Sequence, residues 1–150
     1  MKAKPKPYAH AFLLSEQARL AALTKPKRRD LEGPVQAAIV QYLDLAIDPA
    51  ETFWSATLNG VKVTPKVRAK LRSQGLRPGL FDIIIVPLAN HPRIGVAHHV
   101  ECKSELGRLT AEQKAILAVL APLGLGALVR SVDDVHAYLT AQQFNLRAHV

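Results

Sequence analysis

FDIIIVPLANHPRIGVAHHVECK, residues 81–103, decides how the rest of the chain is read. Phe81 to Val86 is a nearly unbroken apolar run and Val96 to Lys103 is a second extended segment, so the stretch predicts two β-strands joined across Leu88 to Gly95. The centre of such a hairpin lies near His91 and Pro92, which is also the midpoint between Asp82 and Glu101. A symmetric hairpin therefore sets those two carboxylates opposite each other with Cβ atoms about 5 Å apart, while strand alternation keeps Glu101 and Lys103 on one face. Charged residues inside strands that otherwise read as core need partners, because an unpaired buried carboxylate is strongly destabilising.

Two adjacent carboxylates repel unless a cation lies between them, and oxygen-only ligation suits Mg²⁺ or Mn²⁺. The pattern thus reads as a divalent metal site able to polarise a phosphodiester, with Lys103 placed to orient the attacking water and offset charge on the phosphorane. The plainer alternative is Asp82 at a strand edge and an exposed Glu101–Lys103 ion pair, since Glu-x-Lys alone occurs in any composition.

Outward from this hairpin, helices and strands alternate. Val35, Ala38, Ile39, Tyr42, Leu43 and Ala46 recur with helical spacing after Pro34, which suits a first helical position. Phe53 to Leu58 predicts a strand, with Asn59-Gly60 as its turn. Thr64 and Pro65 open a short basic helix that Gly75 ends. Thr110 followed by Gln113 is a capping-box pattern, and Ile116, Leu117 and Leu120 give the helix behind it an apolar face. Leu125 to Val129 reads as a buried strand, and Ser131 caps a last helix to about Ala141. This order predicts an α/β fold in which helices flank a mixed β-sheet.

The 150 residues, 49% of them hydrophobic, suit one compact domain over 30–150 behind a basic N-terminal extension over 1–29. That extension carries Lys2, Lys4 and Lys6, a short helix expected at Ser15 to Leu23, and the linker Lys25-Pro26-Lys27-Arg28-Arg29. A formal charge of +8 favours an anionic partner, nucleic acid or a membrane surface. No run approaches the roughly 20 apolar residues of a membrane span, and the N-terminus lacks a convincing cleavage site, so a soluble cytoplasmic protein without membrane contact is expected. The single cysteine, Cys102, excludes an intrachain disulfide framework and an all-cysteine zinc site, and reads as a buried core thiol. His98 and His99 read as structural or surface residues, because oxygen-ligand sites rarely recruit imidazole.

The run from Gly75 to Val86, GLRPGLFDIIIV, followed by Val100-Glu101-Cys102-Lys103, resembles the PD-(D/E)xK nuclease signature. More narrowly it resembles the VRR-NUC branch, in which a Gly-rich turn precedes the first aspartate and the E-x-K strand leads into a Ser or Thr and a Gln-bearing helix. Ser104 to Gln113 matches that continuation in kind and order, and the likeness spans roughly Glu32 to Leu139. Phe81 stands where the family's name motif has proline. The resemblance implies a restriction-endonuclease-like core, Mg²⁺ or Mn²⁺, and hydrolysis of DNA phosphodiesters. It further implies that Asp82, Glu101 and the main-chain carbonyl of Cys102 ligate the metal, with Lys103 handling the water. By the same likeness Glu32 stands beside the metal and Gln113 faces the site. Each has an equal local reading, Glu32 as a helix N-terminal charge and Gln113 as the capping-box glutamine.

Lys66, Arg68, Lys70, Arg72 and Arg77 are the foremost expected DNA contacts, joined by Arg108 and Lys114, and such phosphate contacts carry little sequence readout. Free-standing relatives of this size resemble homodimeric junction-resolving enzymes. The expectation is therefore a structure-selective endonuclease for branched DNA such as Holliday junctions, acting as a homodimer. A flap- or end-processing nuclease and a non-catalytic DNA-binding module on the same fold are the alternatives.

Overall fold

The computed structural model describes residues 30–58 and 63–147. The extension over 1–29, with its expected helix at Ser15 to Leu23, and the Asn59-Gly60 turn lie outside the described residues. Helix α1 (Gly33–Ala46) has Pro34 in its first turn and buries Ile39, Leu43 and Ala46, a spacing that keeps one stripe inward. Strand β1 (Thr52–Ala56), helix α2 (Pro65–Ser73) and the hairpin strands β2 (Ile83–Pro87) and β3 (His98–Cys102) follow. Helix α3 (Ala111–Leu120), a 3₁₀ turn (Ala121–Leu123), strand β4 (Gly126–Val129) and helix α4 (Val132–Ala141) complete the order. None of these helices is long and apolar enough to cross a membrane.

The four strands form one mixed sheet in the order β1-β2-β3-β4. β1 and β3 run antiparallel to β2, whereas β4 runs parallel to β3, so the connection between the last two must cross over, and α3 lies within it. On one face Ile83, Ile85, Val100, Cys102 and Val129 meet Ile39 and Leu43 of α1 and Val135 and Leu139 of α4. That layer is the core. On the other face α3 rests directly on β4: a Cβ added to Gly126 would stand 2.7 Å from Leu120 Cβ, so only glycine permits the approach. Alternation along β3 then decides the chemistry, because Val100 and Cys102 face the core while His99, Glu101 and the following Lys103 face α3.

Both hairpin strands start later than their apolar runs. On the β3 side the ladder ends before Asp82, whose Oδ2 takes the Cys102 N–H at 2.9 Å in place of a main-chain acceptor, and on the β1 side the Thr57 hydroxyl donates to the Phe81 carbonyl at 2.7 Å. Val96 and Ala97 are spent on the approach to β3, where the Val96 N–H turns back to the Arg93 carbonyl at 3.1 Å.

Among the described residues two imidazoles are buried, His91 and His98, and the second is enclosed completely. His98 is 0% exposed, and its Nδ1 lies 3.0 Å from the Tyr138 hydroxyl. Tyr138 donates its only hydroxyl proton to the Gly124 carbonyl, so Nδ1 is the donor to Tyr138 and Nε2 keeps a buried lone pair without a partner. Burial first, then the neighbouring charges of His91 and Arg93, lower the His98 pKa from 6.5 to about 4. Between those values the unfolded chain binds a proton that the folded protein refuses. The group's contribution is therefore complete above pH 6.5 and falls by about 3 kcal/mol as pH drops to about 4, with no further change below. Urea unfolding at stepped pH should show His98→Phe losing this part of the slope; an unchanged slope would remove His98 as its source.

Candidate active site

The hairpin register carries the site. Ile83 pairs with Val100, Ile84 with His99 and Ile85 with His98, and the next step outward sets Asp82 opposite Glu101, as the shared midpoint predicts. The ladder stops just short of that step, and the Asp82 carboxylate finishes it by taking the Cys102 N–H. Its main chain is held from the other side, where the Thr57 N–H donates to the Asp82 carbonyl at 2.7 Å. Asp82 is 7% exposed, Glu101 0% and Lys103 7%, so the exposed Glu101–Lys103 pair of the plainer sequence reading is corrected: the pair is buried.

Lys103 Nζ lies 2.5 Å from Glu101 Oε1 and 3.3 Å from Glu32 Oε2. Glu32 occupies the N-cap of α1 but makes no side-chain cap bond there. Asp30 Oδ1 takes the Gly33 N–H instead, at 2.9 Å, and leaves the Glu32 carboxylate to Lys103. Glu32 thus stands at the helix N-terminus and also reaches Lys103. For Gln113 both sequence readings hold together. Its Oε1 accepts the Thr110 N–H at 2.9 Å to close the capping box, while its Nε2 donates to Glu101 Oε1. One amide thus fixes the start of α3 and the position of a buried carboxylate.

Glu101 Oε2, by contrast, is buried with no hydrogen-bond partner. Burial raises the Glu101 pKa and the Asp82 charge raises it further, against the opposing hydrogen bonds from Lys103 and Gln113. Asp82 is raised for the same first reason, burial, with Glu32 adding to it and the Cys102 N–H and Lys103 opposing. Burial alone would lower Lys103, but its bond to Glu101 and the charges of Glu101, Glu32 and Asp82 prevail and hold it above its ordinary value. Lys103 is therefore an ammonium across the neutral range. The Cys102 thiol, pushed up to about 12 by burial and then by Asp82 and Glu101, is unreactive and belongs to the core. Its main chain is what touches the site, and Cys102 lies beyond the last β2 pair.

Among the described residues no three His, Cys, Asp or Glu side chains converge as a metal cage. Instead Glu32 and Glu101 both contact the Lys103 ammonium and Asp82 acts on it electrostatically, so the four groups carry a net charge of −2 when all are ionised. Lys66, Arg68, Lys70, Arg72, Arg77, Arg108 and Lys114 are all exposed. The first four lie on α2, none of whose residues is buried, and 63–81 contains no carboxylate.

Arg130 was invisible to motif reading. Its guanidinium donates to the carbonyls of Ser104, Glu105 (3.1 Å) and Gly107 (3.0 Å), gathering the loop that leaves Lys103. That loop packs on the ion pair: a Cβ at Gly107 would lie 3.0 Å from Glu32 Oε1 and 3.2 Å from Lys103 Cβ. The available signal was the parallel pairing of Cys102 with Val129, which sets the residues after each strand side by side. No family model matches the chain, and neither the curated proteins nor the solved structures include a match to it.

Proposed function

We propose that the protein is a divalent-metal-dependent DNA endonuclease with a restriction-endonuclease-like core of the VRR-NUC kind, acting on branched DNA. The observation that carries the reading is Glu101 Oε2, a fully buried carboxylate oxygen with no partner, on a residue set opposite Asp82 by the hairpin register. A buried anion left open in this way is costly unless a cation answers it, and the two-charge deficit of the cluster fits a divalent one. Asp82, Glu101, the Cys102 carbonyl and Glu32 would hold it, all through oxygen, the donor set of Mg²⁺ or Mn²⁺. Bound there, the metal would polarise a phosphodiester and offset the charge that develops on it.

The chain's own groups take the remaining tasks. Lys103, held as an ammonium, is a proton donor and a fixed positive charge, so it orients a phosphate oxygen or water and does not act as a general base. Gln113 acts through Glu101, whose position it fixes. The exposed cations of α2 suit phosphate contacts, which make affinity fall steeply with salt. A homodimer follows if the substrate is a four-way junction, since paired nicks there need two equivalent sites.

A second reading, a non-catalytic DNA-binding module, is favoured by the closeness of Lys103 to Glu101, which can fill the site with an internal ion pair. Labelled junction, flap and linear DNA with Mn²⁺ separate the two. Symmetric paired nicks in the junction, lost in Asp82→Asn, support the proposal. Metal-independent binding without any nicking supports the module instead, and cleavage confined to flaps removes the junction assignment. Asn is the right replacement because its amide oxygen still accepts the Cys102 N–H, whereas Asp82→Ala orphans that donor at a cost of about 1–3 kcal/mol and confuses folding with catalysis.

A further inference from the structure

Beside the carboxylates lies a cavity of about 420 Å³ that neither the carboxylates nor Lys103 line. Its walls come from the turn at 75–81, from His99 on β3, and from Ile116 and Leu120 on α3. The turn is built to stand there. Gly75 and Gly79 have φ of +106° and +89°, and a Cβ on Gly79 would lie 2.7 Å from Ile116 Cδ1, so glycine lets the turn close against the helix. Two flat side chains line the cavity, Phe81 and His99, with ring centroids 6.1 Å apart and planes at 81°. Arg77 lies at the edge, exposed, with Nη1 donating to the Arg72 carbonyl at 3.3 Å, which ties it to the basic end of α2.

The position matters as much as the shape. His99 and Glu101 share the α3 face of one strand two residues apart, about 7 Å along β3. The volume falls in the range of about 300–1,000 Å³ that suits a small organic group, and is far too small for a duplex. Apolar and aromatic walls reject a phosphate, while the cationic stretch outside attracts one. The combination suits a planar aromatic group attached to an anionic chain.

We infer that this cavity receives one unpaired nucleobase, so that the adjoining carboxylates meet the backbone next to an extruded or unstacked nucleotide and selectivity for branched DNA comes from the unpaired base. The inference rests on the nuclease reading for its substrate, yet its binding step needs no metal and no cleavage. A base inside a continuous duplex cannot reach the cavity. A base at a bulge or branch point is already free of much of its pairing and stacking cost.

The experiment uses the full chain in chelator with a duplex carrying one unpaired 2-aminopurine, and the same duplex with that base paired. Stacking in the cavity should quench the unpaired probe and give it about ten-fold tighter binding than the paired control. Leu76→Trp fills the cavity and His99→Ala removes one wall, and each should abolish quench and preference while leaving the salt-dependent binding to paired duplex unchanged. Equal affinity and an equal fluorescence change on binding for the two probes would overturn the inference, as would an undiminished preference in Leu76→Trp with its fold verified by circular dichroism. The two readings fail separately. Nicking with Mn²⁺ but no base-dependent quench removes the cavity assignment alone, and quench without nicking removes the nuclease assignment alone.

Discussion

Glu101→Gln should reduce Mn²⁺-dependent cleavage by at least about 10³-fold and, in chelator, raise the melting temperature by about 3 °C. The two effects share one cause. Glu101 is 0% exposed and keeps one oxygen without a partner, so as an ionised group it weakens the metal-free fold. The sign follows from its raised pKa: the folded protein binds this proton more tightly than the unfolded chain, and stability is lost as pH rises through the folded value. Glutamine removes that loss. Its carbonyl can still accept from Lys103 and Gln113, and a neutral amide replaces the unpartnered anionic oxygen, for a gain of about 1 kcal/mol.

Metal should invert the order. A cation that binds only the folded wild type adds about 2.7 kcal/mol at a hundred times its dissociation constant, and a site lacking the Glu101 charge gains far less. Wild type should therefore melt below Glu101→Gln in chelator and above it in Mn²⁺, as read by differential scanning fluorimetry. Were the wild type already the more stable in chelator and unmoved by Mn²⁺, the Lys103 ion pair would be a finished structural element and the metal proposal would fall. Activity should also rise at higher pH than ordinary carboxylates dictate, since Asp82 and Glu101 both hold their protons to higher pH.

How much of this was legible beforehand depends on the reach of each interaction. The capping box at Thr110 spans three residues and uses only local geometry, so its sequence pattern was sufficient. The register that points Asp82 towards Glu101, one step beyond the last ladder pair, was also readable, because a hairpin register is fixed by its midpoint once both strands are recognised. The strand starts were not. Phe81 is as apolar as the residues after it, but the β3 ladder ends before Asp82, whose carboxylate takes the Cys102 N–H, and the Thr57 hydroxyl holds the Phe81 carbonyl, all partners on different segments. Glu32 shows the same limit. Its position left a helix-end charge and a site-facing acid equally open, and only the contact with Lys103, 71 residues away, reveals where the carboxylate points. The cavity has no motif at all, since its walls come from three separate elements.

Arg130→Ala should lower stability by about 3 kcal/mol, a fall of roughly 6–12 °C, and cut cleavage by about 10–100-fold at temperatures where the variant remains folded. One guanidinium holds three carbonyls of the loop from Ser104 to Gly107, and the Arg130 main-chain N–H is fixed at 2.8 Å to Asp134 Oδ2 at the start of α4. Alanine strands those carbonyls and frees the loop, and Gly107 then no longer backs Glu32 and Lys103. The loss of activity should therefore appear as a higher Mn²⁺ requirement, which a purely structural role would not produce. Arg130→Lys is the sharper test of the geometry. An ammonium restores the charge but cannot span three acceptors as a planar fork does, so it should recover little of either property. Full recovery by lysine would mean that charge alone matters at this position, and a wild-type Mn²⁺ requirement in Arg130→Ala would separate the loop from the site.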